Sequence, residues 1–529
     1  MSALRQPTST PTSAASTATP ESRLIESFNP ATGAKIGEVR VTPLDDMSAI
    51  MARARAAQPA WEKRGLAARL QQLRQLKTAY YLNRDRIVET VTQEQGKPPL
   101  ESLTYEFWPV IDLISYYLRN GKRILAPSPR YEIKNPLRYQ QVEHRAHGVV
   151  LVISPWNFPM LLPGSPIVAA LLAGNSVIFK PSEFTPLCGQ LLAEIIWEAG
   201  IPRDVLQIVQ GYGDVAAAAI QQKPDKICFT GSVATGKKVA LAAGEQLIPV
   251  TLELGGKDAA IVLEDADLDT AARGIAWSGL LNGGQACAGV ERTFVMRSVY
   301  DAFLGKLQQE IKQHVDLQST DGKPITTPIT TGAQLKIIDG QVREAVEQGA
   351  TVLLGGHVAQ TTEGRYYEPT VITNVKSEMK IMTAETFGPV IAVVPIDDDA
   401  EAIRRANETN FGLVASIWTR DRERGLEIAR QLKAGHASLN DHLISAFMPS
   451  MPWGGVGDTG YGRTRGEEGL RDMTRPMGIA YDLLSVPVFE QLIWYPHTPA
   501  KLDLMKRLLG VLYAPGLLAK LKALLGRDN

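Results

Sequence analysis

VVLVIS (149–154), SVIFKP (176–181), VLQIVQG (205–211), KICFTGS (226–232) and PVTLELGG (249–256) are five short apolar runs. Between them lie SPIVAALLAGN (165–175), LCGQLLAEIIWEAG (187–200), DVAAAAIQQ (214–222) and ATGKKVALAAGE (234–245), each of helical character. Short apolar runs bounded by turn residues read as strands buried on both faces. Strands joined by helices imply right-handed crossovers and a parallel sheet, hence an α/β fold. In such sheets ligands bind at the carboxyl ends of the strands, which is where several polar residues of this chain fall.

Upstream, helical patterns run from about Leu44 to Leu125, broken at Gly65 and at Gly96–Pro99. A polar, alternating stretch, Tyr131–Arg145, reads as a strand or hairpin arm. Downstream of Cys287, ATVLLGG (350–356), TVITNV (370–375), VIAVVPI (390–396), VASIWT (414–419) and HASLN (436–440) read as strands of a second α/β domain, with helices such as AEAIRRANE (400–408) and RGLEIARQLKAG (424–435) between some of them. The stretch from Ala146 to Phe179 carries no Asp, Glu, Lys or Arg, a length that invites comparison with a membrane span. Four prolines interrupt it, so a strand, a loop and a helix are the better reading.

The 529 residues suffice for two or three domains. Lys plus Arg and Asp plus Glu number 56 each, which argues against a general nucleic-acid binder. Three cysteines, Cys188, Cys228 and Cys287, cannot form a disulfide framework, and a reducing, cytoplasmic setting is expected. No CxxC or His/Cys cluster suggests a metal. Residues 1–22 are rich in Ser, Thr, Ala and Pro, with no apolar run, and read as a disordered tail rather than a secretory signal.

Cys188 and Cys228 sit inside apolar patterns, as small buried hydrophobes do. Cys287 sits instead in Gly-Gly-Gln-Ala-Cys-Ala-Gly (283–289), where backbone and substrate can approach the sulfur; it reads as a buried cysteine or as a reactive thiol. Glu253, in TLELGGK (251–257), is a solvated strand-end residue or a general base. Asn157, in SPWNFP (154–159), is a turn residue or an oxyanion donor. Gly231 and Ser232 follow a strand and open a helix, as a cap or as a phosphate site; this is not the GxGxxG fingerprint. Lys180 and Glu183, in KPSE, are a surface ion pair or hold ribose hydroxyls. Glu385 and Phe387, in ETFGP (385–389), lie in a loop punctuated by Gly and Pro.

Taken together and in order, PWNFP, KPSE, FTGS with a following Gly, LELGGK, GQACAG, ETFGP and PWGGVGDTGYGR resemble the aldehyde dehydrogenase superfamily from about Phe28 to about Leu484. The resemblance implies that Cys287 attacks an aldehyde, forming a thiohemiacetal and then, after hydride transfer, a thioester. It implies that Asn157 and the Cys287 N–H form the oxyanion hole and that Glu253 activates the hydrolytic water. Lys180 and Glu385 would hold the two riboses, Ser232 beside Gly231 the pyrophosphate, and Trp156 and Phe387 would line the cofactor cleft. A carboxylate at Glu183 favours a free ribose 2′-hydroxyl, so NAD is the first choice of cofactor, with NADP the alternative. The run CAGVER (287–292) departs from the commonest family version and looks more like a plant and cyanobacterial branch.

The expected domains are a cofactor domain (23–130 and 148–255), a catalytic domain (256–467), an oligomerisation element (131–147 and 468–484) giving a homodimer or homotetramer, and a tail (485–529). In the tail, Leu502, Met505, Leu509 and Leu512, then Leu517, Leu518, Leu521, Leu524 and Leu525, recur at helical spacing beside basic residues. Two short amphipathic helices follow, too short to span a bilayer. They would contact a membrane surface over 500–526, a partner subunit or the substrate tunnel. The tail resembles C-terminal elements of membrane-associated fatty aldehyde dehydrogenases, and a medium- or long-chain aldehyde is the expected substrate. The rivals are a small or polar aldehyde, an acylating CoA-dependent enzyme, and a relative that keeps the fold without activity.

Overall fold

The strand Val149–Ile153 divides two hydrophobic cores between its faces. Val150 and Val152 join a core with helices Leu161–Ala173 and Pro186–Glu198. Val149, Leu151 and Ile153 join the opposite core with helices Met47–Lys63, Gly213–Gln221 and Val233–Gly244. This is the two-residue period of a strand covered on both sides, each fully buried Val or Ile contributing about 1.5–3 kcal/mol. The protein is described by a computed structural model over residues 23–130, 138–315, 326–360, 364–482 and 494–526. The expected N-terminal tail, and parts of the expected oligomerisation element and C-terminal tail, fall outside the described residues.

The first sheet has six strands, in the order Gly460–Tyr461, Val250–Glu253, Lys226–Thr230, Val149–Ile153, Ser176–Lys180 and Leu206–Ile208. All neighbours are parallel except the short edge strand 460–461, which runs antiparallel to 250–253 with Gly460 opposite Glu253. Helix Leu161–Ala173 begins four residues before the apolar run read from sequence, and Gly174 in a left-handed conformation ends it.

The second sheet has seven strands, in the order Thr351–Leu354, Thr370–Thr373, Val390–Ile396, Val290–Met296, Asp258–Val262, Val414–Trp418 and His436–Leu439. Its first pair is antiparallel and the others are parallel. Two central strands, 258–262 and 290–296, escaped the sequence reading. Asp258, Glu291 and Arg292 interrupt their apolar pattern, yet all three are buried. Glu291 pairs with Lys257, and Arg292 donates to the carbonyls of Lys257, Arg405 and Ala406, which makes the burial tolerable.

Both sheets lie in one compact unit formed by the described residues within 23–125 and 145–475. A second unit is formed by the described residues within 126–144 and 476–526. A three-stranded sheet orders Thr474–Asp482, Arg138–Ala146 and Ser128–Arg130, the last two antiparallel, with the Tyr139 and Tyr481 rings 5.0 Å apart. Helices Pro499–Tyr513 and Leu517–Leu524 pack on each other as a hairpin. Thr498 caps the first, its side chain accepting from Lys501 N. The leucines at 502, 504, 509, 512, 517, 518, 521, 524 and 525 are all exposed. Among the described residues no helix is long and apolar enough to cross a membrane.

Candidate active site

The carboxyl ends of the first sheet's strands face a cavity of about 280 Å³. Pro155, Trp156, Asn157 and Leu162 line it from the turn and helix after strand 149–153. Thr230, Gly231, Ser232, Leu254 and Gly255 line it from the following strand ends. Cys287, Gln334, Ile337, Glu385 and Phe387 complete it from the second sheet's side.

Cys287 follows a tight turn, Leu281–Gly284, in which Asn282, Gly283 and Gly284 all have positive φ. A Cβ on Gly284 would overlap the Gly388 carbonyl, so the turn needs glycine there. The thiol is half-buried and faces the cavity, whereas Cys188 and Cys228 are fully buried. Burial, reinforced by the nearby Glu253 and Glu385 carboxylates, pushes the Cys287 thiol well above the ordinary cysteine range. It therefore rests as a thiol and needs a proton acceptor to attack.

Glu253 ends strand 250–253 and is 6% exposed. Burial raises its carboxyl to about 8, against the lowering influence of Arg465 and Arg463. A base with that value is matched to neutral or mildly alkaline pH. Thr464 Oγ1 lies 3.5 Å from its Oε1. Asn157 is buried, and its Nδ2 donates to the Gln285 carbonyl over 3.1 Å. An amide nitrogen has two N–H groups, so one remains for a second acceptor.

Ser232 caps helix 233–244, its Oγ accepting from Thr235 N at 3.3 Å, while the residue also lines the cavity. The capped helix start thus opens onto the cavity. The Trp156 and Phe387 rings meet edge-on, 5.5 Å apart at 90°. Glu385 Oε1 accepts from Gly256 N at 3.0 Å, and burial raises its carboxyl to about 8. Gln334 and Gln341 donate to the carbonyls of residues 385–387, and Glu291 accepts from the N–H groups of Thr386 and Phe387. Lys180 and Glu183 are not among the cavity's lining residues; they pair with each other over 3.1 Å at the neighbouring strand end. A helix start, a lysine–glutamate pair one strand over and a carboxylate across the cavity fit a dinucleotide's phosphates and ribose hydroxyls. Among the described residues no group of His, Cys, Asp and Glu could hold a metal ion.

Three features went unread in the sequence. Arg465, buried and with φ +60°, is the strongest cationic influence on Glu253 and lies over the Trp453 ring, 5.3 Å from its centroid. Gln285 ties the cysteine turn to Asn282 and Pro328 through their carbonyls. Lys97 and Glu106 are buried beneath Asn157. Each also acts through a partner far along the chain, Glu253 for Arg465, Pro328 for Gln285 and the Asn157 turn for Lys97 and Glu106, which local pattern does not signal.

A family model described as the aldehyde dehydrogenase family matches residues 17–479. A protein of Mycolicibacterium smegmatis named as succinate-semialdehyde dehydrogenase, NADP(+), is 37% identical over 453 residues, 85% of this chain and 87% of that protein. The 4,4'-diapolycopene aldehyde oxidase of a Methylomonas species is 34% identical over 494 residues, 92% of this chain and 91% of that one. The crystal structure of an NAD-dependent aldehyde dehydrogenase from Sinorhizobium meliloti is similar with a TM-score of 0.83 and 32% identity, over 88% of this chain and 93% of that one.

Proposed function

The chain belongs to the aldehyde dehydrogenase family, and from that premise we propose that it oxidises an aldehyde to its carboxylic acid, with NAD or NADP as acceptor and Cys287 as nucleophile. The observation that carries this reading is a single half-buried cysteine lining a cavity, sharing its electrostatic field with a buried glutamate raised to about 8.

Glu253 takes the Cys287 proton, directly or through a water, and Sγ attacks the aldehyde carbon. The carbonyl oxygen becomes an alkoxide, accepting hydrogen bonds from the second Asn157 N–H and the Cys287 backbone N–H. A bound nicotinamide supplies the hydride acceptor that turns this adduct into a thioester. Glu253, once its proton has left to solvent, removes a proton from water as that water attacks the thioester. The carboxylate departs and the thiol is restored. Lys180, Glu183, Gly231, Ser232, Trp156, Glu385 and Phe387 would hold the dinucleotide, and Glu183 favours NAD.

For the substrate we infer a medium- or long-chain apolar aldehyde. The exposed leucines of the C-terminal hairpin suit an enzyme that meets apolar, lipid-borne aldehydes. The relative named for 4,4'-diapolycopene aldehyde matches more of this chain than the succinate-semialdehyde relative does. NAD(P)H formation from aldehydes, lost in Cys287→Ala, tests the activity.

The C-terminal hairpin supports a second element of the reading, contact with an anionic membrane surface. Its exposed leucines are accompanied by Lys501, Lys506, Arg507, Lys520 and Lys522, and by exposed Trp494, Tyr495 and Tyr513. Leucine, basic and interfacial aromatic side chains together suit a lipid headgroup boundary. A homodimer or homotetramer assembled through the three-stranded sheet, whose strand 474–482 is an edge, belongs to the same proposal.

A further inference from the structure

The turn carrying Asn157 is held from behind by charged side chains that do not line the cavity. Lys97 and Glu106 have no exposed surface and pair with each other. Lys97 Nζ also donates to the Asn157 carbonyl over 2.7 Å and lies 4.1 Å from the Phe158 ring centroid. Glu106 Oε2 accepts from Met160 N at 3.0 Å and from Leu161 N at 3.1 Å. Those N–H groups open helix 161–173, which has no side-chain cap of its own. Gln95 donates to the Trp156 carbonyl. From Trp156 to Leu161, every residue but Pro159 is thus fixed by Gln95, Lys97 or Glu106.

The source of Glu106 is a wide, π-type turn, Ser102–Phe107, inserted at the start of helix 108–124. Such a turn adds a residue and re-aims the side chains around it. Glu101, immediately before it, reaches the other half of the site: its Oε2 accepts from Asn282 N at 3.3 Å and from Thr327 Oγ1 at 3.1 Å. Asn282 Nδ2 in turn donates to the carbonyls of both Asn157 and Gln285. One helical segment therefore anchors both the Asn157 turn and the turn before Cys287.

We propose that Lys97 and Glu106 are positioning residues that set where the Asn157 amide stands relative to Cys287 Sγ. The proposal rests on the reading of Asn157 as oxyanion donor. Both residues grip main-chain atoms, so they fix the path of the turn whatever its side chains are. A buried pair is costly to form, and its retention beneath a reacting amide fits a requirement for placement rather than for stability. A misplacement of about 1 Å at such a donor is enough to slow chemistry about 100-fold.

The test is a double-mutant cycle between the pair and Asn157. Lys97→Met/Glu106→Leu removes both charges together, leaving neither unpaired. Asn157→Ala removes the donor. For each variant and for the triple variant, kcat, KM and the dissociation constant of NADH are measured. Asn157→Ala is expected to lower kcat about 100-fold. The pair variant is expected to lower kcat at least about 10-fold, with KM and NADH affinity within about twofold, and to add nothing in the absence of the Asn157 amide. If the pair variant instead slows the Asn157→Ala enzyme by the same factor as wild type, the positioning proposal is wrong while the oxyanion reading survives. If Asn157→Ala alone costs less than about threefold, the oxyanion reading fails first. Should the pair variant not fold, Glu106→Gln, which keeps an acceptor for the two N–H groups, carries the same cycle. Unchanged kcat in that variant overturns the proposal.

Discussion

The side-chain amide of Asn157 donates to the main-chain carbonyl of Gln285 over 3.1 Å, and Gln285 lies two residues before Cys287. A turn leaving the first sheet is thereby tied to the segment entering the second. Replacing the amide by a carboxylate keeps the volume and removes both N–H groups. Asn157→Asp should lower kcat by about 100-fold or more and leave KM within about threefold, because the new charge faces the forming oxyanion. Steady-state kinetics decide it; a change confined to KM would contradict the assignment.

Glu253 makes the reaction and the fold depend on pH in opposite directions. Burial lifts its carboxyl from an unfolded value near 4.5 to about 8 in the fold. The base form therefore grows as pH rises through about 8, and kcat should rise along that limb. Between 4.5 and 8 the folded state keeps a proton that the unfolded state has lost. Stability accordingly falls across that window and reaches its floor above the folded value. Glu253→Gln should be inactive in hydrolysis, and its thermal midpoint should exceed wild type by a few degrees at pH 8.5 while the two converge near pH 4.5. A midpoint at or below wild type at pH 8.5 would show that the charge is not buried at a cost.

Gly284 has φ +71°, and a Cβ there would overlap the Gly388 carbonyl. Gly284→Ala should cost about 2–3 kcal/mol of stability and, since Gly388 follows Phe387, weaken cofactor binding. Gly340 is the control: it lies within helix Gly332–Glu347 with open space around it. Gly340→Ala should be neutral or stabilising by up to about 1 kcal/mol. Denaturant midpoints for the two variants suffice, and equal midpoints would remove the steric argument.

Much of the first sheet was legible because its strands are buried on both faces, which leaves uninterrupted apolar runs. The central strands of the second sheet were not, since Asp258, Glu291 and Arg292 stand inside them. Their partners, such as Lys257 and the carbonyls of Arg405 and Ala406, are supplied by the fold. The same logic divides the site. Cys287, Glu253 and Asn157 each carry a bland local reading as well, and it is their order among the other motifs, at strand ends and in Gly- and Pro-rich turns, that singles them out in the sequence. Lys97, after the left-handed cap at Gly96, reads as an ordinary exposed lysine; only the approach of residues 157 and 158 makes it a buried anchor.

Deleting residues 494–529 separates the hairpin from the chemistry. The truncated enzyme should oxidise a short aldehyde at a rate within about twofold of the full chain. It should also lose sedimentation with vesicles containing phosphatidylserine, which bind basic, leucine-rich helices. Full-length protein that ignores such vesicles, or a truncation that changes oligomeric state instead, would assign the hairpin to a subunit contact.

Cys287 is proposed as the nucleophile through which an apolar aldehyde is oxidised, with NAD or NADP accepting the hydride. That role is tested most directly by following NADH and NADPH formation with straight-chain aldehydes of increasing length, for wild type and Cys287→Ala. The account predicts turnover with wild type, none with the variant, and kcat/KM rising with chain length by about tenfold for each two methylenes that become buried. Efficiency that peaks with small or carboxylate-bearing aldehydes would keep the chemistry and overturn the substrate class. Wild-type turnover that persists in Cys287→Ala, or none with any aldehyde and either cofactor, would contradict the account itself.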